Sequence, residues 1–104
     1  MGDLPDGSNF YSSLYTKLSK EQVAGLYSPL ELWSRKCSWF DYEIRGEWAE
    51  LVIESKDPIL MHGPVADVLA NADRLLKPLR DAGVKYSAEA YDDEGNLIME
   101  WKSP

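Results

Sequence analysis

The chain has a single cysteine, Cys37, and a single histidine, His62, among its 104 residues. One cysteine excludes an intrachain disulfide, and nothing in the composition asks for an oxidising compartment. One cysteine and one histidine are also too few for a structural zinc site. Basic residues are scarce: eleven Lys and Arg stand against eighteen Asp and Glu, a net charge of −7. They are scattered, with Arg35-Lys36 the densest pair, so no basic stripe is available to track phosphates. Neither nucleic acid nor an anionic membrane surface is an expected partner. No apolar run approaches the roughly 20 residues that span a bilayer. The opening stretch MGDLPDGSNF lacks the basic and apolar regions of a secretory signal, and Asp6 stands where a myristoylation signal carries Ser or Thr. The glycines are isolated, which leaves no phosphate cradle, dinucleotide fingerprint or nucleophile elbow. These absences point to the cytoplasm and to a protein without metal or cofactor.

What remains is an ordinary globular composition, 44% hydrophobic and 28% charged, without internal repeats and of single-domain size. Residues 1–9, with Gly2, Pro5, Gly7 and Ser8, read as a flexible leader to a domain over 10–104. The stretch 10–36 reads as helical. Phe10, Tyr11, Leu14, Tyr15 and Leu18 fall at helical spacing, Ser19 and Gln22 form a capping box, and Ser28-Pro29 opens a second short helix. Residues 64–82 predict the longest helix. Val65, Val68, Leu69, Ala72, Leu75, Leu76 and Leu79 make its apolar stripe, Pro64 suits the first turn and Gly83 the left-handed position after the last. Pro78 predicts a kink or tightened turn near the end.

Two hairpins complete the chain. In the first, over 37–55, SWFDYEIRGEWAELVIE alternates around an Arg-Gly-Glu break. Phe40, Tyr42 and Ile44 then share an apolar face with Ala49, Leu51 and Ile53. In the second, over 84–102, an even-numbered loop through the acidic DDEG turn puts Val84, Tyr86, Ala88 and Ala90 on the same face as Leu97, Met99 and Trp101. The element order predicts an α+β fold in two layers. Its core is a four-stranded, mainly antiparallel sheet (ββαββ), with one long helix on one face and short N-terminal helices.

Candidate chemistry is thin. His62 lies in PILMHGP, read as a loop between strand and helix, and a lone His needs an orienting carboxylate before it can act as a base. Cys37 reads as a buried thiol. The acidic DDEGN stretch lacks the alternating ligand spacing of a calcium loop and reads as a turn. Glu43 and Glu50 are placed close together across the first hairpin. The richer signal is aromatic, four Trp and six Tyr, the residue types that anchor interfaces. Trp39, Asp41, Glu43, Arg45, Trp48 and Glu50 fall on the second parity of the first hairpin, with Arg45 placed to lie over Trp48. Either the N-terminal helices or a partner must cover Trp39 and Trp48. The leading expectation is a non-enzymatic module that binds a basic protein through this face, of inhibitor, immunity or accessory type. A homodimer through the sheet face or edge is the second reading. A small ligand-binding or enzymatic domain using His62 is the third.

Overall fold

Among the described residues seven short segments become strands: β1 (Phe10–Tyr15), β2 (Trp33–Lys36), β3 (Asp41–Arg45), β4 (Glu50–Glu54), β5 (Ile59–Gly63), β6 (Lys85–Tyr91) and β7 (Leu97–Lys102). Two helices, α1 (Lys20–Gly25) and α2 (Val68–Asp81), and a 3-10 turn at Ser28–Leu30 accompany them there. The computed structural model describes residues 4–30, 32–36 and 41–104. The strands form one sheet in the order β2-β3-β4-β5-β1-β6-β7, and every neighbouring pair is antiparallel. Because β5 and β6 both run against β1, they are parallel to each other, and α2 is the crossover between them.

This architecture overturns the expected four-stranded ββαββ sheet. Three strands were hidden, each for a physical reason. In β1, Phe10 and Leu14 share the helical spacing i, i+4. The residue between them on the inner face is Ser12, which breaks the apolar alternation that marks a strand. The chain tolerates Ser12 in the core because its hydroxyl donates to the Met61 carbonyl at 2.8 Å. In β5, the apolar Ile59 and Met61 alternate inward with Leu60 and His62 outward, but Pro58 and Gly63-Pro64 make the five residues look like a loop. Around Pro29 the chain forms the 3-10 turn Ser28–Leu30, and the next element among the described residues is β2 instead of a second helix.

The local signals that do not depend on distant partners behave as their chemistry dictates. The Ser19 hydroxyl accepts from the Gln22 backbone N–H at 3.1 Å while the Gln22 side chain accepts from the Ser19 N–H at 2.9 Å. Ile44 pairs with Leu51 and Tyr42 with Ile53, so the predicted apolar parity of the first hairpin holds across β3 and β4; Phe40 lies outside the described residues. The second hairpin reaches its parity by another route. Its loop has an odd length, with Tyr91 opposite Leu97, and a bulge beside Tyr91 restores Ala90 opposite Met99 and Ala88 opposite Trp101. Leu97 falls opposite the outward Tyr91 instead, and along β7 Trp101 alone is partly buried, Met99 staying exposed.

In α2, Val68, Ala72, Leu75, Leu76 and Leu79 are buried, but Leu69 is exposed. The helix begins at Val68, later than expected, because Val65 first bridges to Ala49 and the Pro64 carbonyl accepts from the Glu50 N–H. It runs through Pro78 to Asp81 and ends with Gly83 at φ 75°. Both helices lie on the same face of the sheet. Val23, Ala24 and Tyr27 join Ile44, Leu51 and Leu75 in a single core, and the Tyr27 hydroxyl donates to the Leu75 carbonyl at 2.7 Å. Burial holds the Tyr27 phenol in its neutral form, far above its ordinary range.

Candidate functional site

The opposite, outer face of the sheet carries neither helix. The strand register arranges it in lateral rows. One row reads Glu43, Val52, His62, Tyr11, Glu89, Glu100 across β3-β4-β5-β1-β6-β7. The next reads Asp41, Glu54, Leu60, Ser13, Ser87, Lys102. All of these residues are partly or fully exposed, and none is buried. The face is therefore acidic and aromatic, with Arg45, Lys85 and Lys102 among its cations.

Its centre is an aromatic group that the topology assembles. Tyr11 and His62 are direct cross-strand partners, and their rings stack with centroids 5.7 Å apart at 14°. Tyr91 stands diagonal to Tyr11 and meets it edge-on at 5.6 Å and 88°. Glu54, diagonal to His62 across β4 and β5, places a carboxylate oxygen 2.7 Å from His62 Nε2. That hydrogen bond, aided by Lys56 at 3.4 Å, holds the Glu54 carboxyl below its ordinary range. Partial burial, then Glu89, pushes the Tyr91 phenol above its ordinary range. Around these rings lies an open depression of about 970 Å³, closed at one end by residues 4–9 and at the other side by the Asp92-Asp93 turn.

Two devices fix the rim. Asn9 donates its side-chain amide to the Val65 carbonyl at 3.0 Å and accepts from the Val65 N–H at 2.8 Å. It also accepts on its backbone from the Tyr91 N–H at 2.9 Å, which ties the segment before β1 to both neighbouring strands. On the other side the Asp92 carboxylate accepts from the backbone N–H groups of Glu94 and Asn96, each at 2.9 Å. The Asn96 bond first of all holds this carboxyl below its ordinary range. The acidic stretch is thus an internally bonded turn, and among the described residues no cluster of His, Cys, Asp or Glu is placed to hold a metal ion.

The residues singled out in the sequence divide between two places. Asp41, Glu43, Arg45 and Glu50 do share the outer face. Glu43 and Glu50 do not face each other directly, because the register puts Val52 opposite Glu43 and Arg45 opposite Glu50. Arg45 therefore sits between them, 3.0 Å from Glu50 and 3.9 Å from Glu43, and both raise its pKa, Glu50 most. Trp48 lies apart, in the turn between β3 and β4, packed against the core on the helical side. The cation over its ring is Arg74 of α2, 4.1 Å from the centroid, and not Arg45. Trp39 and Cys37 lie outside the described residues. His62 is on strand β5 and not in a loop, and it has the carboxylate partner that the sequence could not place. Tyr11, Tyr91 and Glu89 were missed; alternation placed Glu54 on this face but not beside His62. The readable sign was the exposed parity of FYSSLY, once that segment is taken as a strand.

Comparison with protein-family models, with curated proteins and with solved structures gives no match to this chain. No helix among the described residues is long and apolar enough to cross a membrane. The molecule is a mixed α+β protein whose sheet, among the described residues, has one face covered by helices and one without them.

Proposed function

We propose that this protein is an interaction module that receives a basic segment of a partner protein on the outer face of its sheet, acting in the cytoplasm as an inhibitor or accessory protein. The observation that carries this reading is the depression in which Tyr11, His62 and Tyr91 present ring surface beside Glu89 and the Asp92-Asp93 turn. A guanidinium or ammonium group on an aromatic face gains about 0.5–2 kcal/mol depending on desolvation, and a neighbouring carboxylate fixes its orientation. The long-range field of a chain with net charge −7 speeds the approach of a basic partner.

An NMR titration with a hexa-arginine peptide tests it. Amide shifts are expected to concentrate on Tyr11, Ser13, His62, Glu89 and Tyr91 and to fade as salt rises. Tyr11→Ala should weaken binding by roughly fivefold, the equivalent of about 1 kcal/mol, and Glu89→Lys by more. Shifts confined to the helical face, or none at millimolar peptide, would sink the reading.

One observation favours a second reading, a small ligand-binding or enzymatic domain. Glu54 orients His62 as a carboxylate orients a general base, and both Ser13 and Ser87 line the same depression. Turnover of activated esters or phosphoesters that disappears in His62→Ala is its test. Equal background rates for the two proteins remove it.

A further inference from the structure

We propose that β7 pairs with the β7 of a second copy of this chain, joining two sheets into one through a two-fold axis at Trp101. Strand β7 ends the sheet, with no further strand on its outer side among the described residues. The backbone shows which groups are free to pair. Ser103 N–H donates to the Tyr86 carbonyl at 3.0 Å, so residues 99, 101 and 103 turn their N–H and C=O groups toward β6. Glu100 and Lys102, alternating with them, direct theirs outward. Proline is absent from the strand, so nothing removes these donors.

Charge selects the register. Antiparallel pairing of two copies must keep inner residues opposite inner residues, which leaves registers centred on Met99, Glu100 or Trp101. Centring on Glu100 sets that carboxylate against its own copy, and centring on Met99 sets it against Ile98. Centring on Trp101 sets Glu100 opposite Lys102 of the partner copy, twice, with the outward backbone groups of both residues bonded as pairs. The same register lays the half-buried Trp101, whose ring sits 6.3 Å from Phe10, beside its symmetry mate on the inner face. Charged edge residues usually prevent self-pairing, but here their order along the strand is self-complementary.

Sedimentation equilibrium from 5 to 500 micromolar tests this on the full chain. The expected result is a reversible monomer–dimer equilibrium reaching twice the chain mass. Glu100→Lys and Lys102→Glu should each weaken self-association at least tenfold by setting like charges together. An equimolar mixture of the two variants should recover the wild-type affinity as a heterodimer, because each Lys again meets a Glu. That rescue requires folded variants, and their thermal midpoints, expected to match the wild type, check folding separately. A wild-type chain that stays monomeric at 500 micromolar, or folded variants that dimerise unchanged or fail to rescue each other, overturns the proposal. The readout is mass, so it is separable from peptide binding on the open face.

Discussion

Gly63 occupies the tightest point of the sheet. A Cβ on it would meet the Glu50 carbonyl oxygen at 2.0 Å and the Leu51 Cα at 3.0 Å, and both are backbone atoms that no rotamer change can move. Gly63→Ala is therefore expected to destabilise the protein by at least about 1–3 kcal/mol, read as a lowered urea midpoint; an unchanged midpoint would show that β4 and β5 have room between them. Glu54 gives a prediction in pH. Its carboxyl is held below its ordinary range in the folded state, first by His62 and then by Lys56. The stabilisation is thus complete above the ordinary carboxylate range and is lost as pH falls through the depressed folded value. Since the pair is partly solvent-exposed, the effect is about a few tenths of a kcal/mol. Glu54→Gln should lower stability by that amount near pH 7 and flatten the acid limb, so that the two proteins converge as pH falls. Urea melts across the acid range measure it.

At the level of elements, the two helices are locked by one hydroxyl. The Tyr27 phenol, following α1, is fully buried and donates to the Leu75 carbonyl in α2. Tyr27→Phe keeps the ring and removes the bond, so a loss of about 1 kcal/mol is expected in chemical melts. A larger loss would mean that the ring moves as well. Elements also show what could be read in advance. The Ser19 capping box, the α2 stripe, the left-handed Gly83 and the parity of β3 against β4 all rest on neighbours within a few residues, and they were legible. Strands β1 and β5 rest on each other. Ser12 makes sense in the core only beside Met61, 49 residues away, and Met61 reads as a strand residue only once β1 is beside it. The site divides along the same line. Asp41, Glu43, Arg45 and Glu50 could be placed on one face by alternation alone. The Tyr11–His62 stack and the Glu54 contact exist only through the β1–β5 and β4–β5 pairings. Trp48 misled because it sits where the hairpin turns, and alternation stops at a turn.

On the scale of the whole molecule, the sheet has two unlike faces, one sealed by α1 and α2 and one presenting acids around a cluster of rings. The strand at its middle has a consequence for how the protein is made. β1 leads the strands in the chain yet is flanked by β5 and β6, so it has no hydrogen-bonded neighbour until β5 has emerged from the ribosome and lacks its second until β6 follows. The β3–β4 hairpin can close early on local contacts, whereas β1 must wait in an extended, unpaired state. Without β1 the remaining strands would fall into two separate ribbons, β2-β3-β4-β5 and β6-β7, tied only by α2. That vacancy is a strand-wide slot lined on both sides by unpaired backbone groups. A peptide spanning residues 4–18, added to a chain that starts after it, is expected to fill the slot and restore the cooperative thermal transition of the intact protein. The fold would then serve as a two-part complementation pair, with its cut after Leu18.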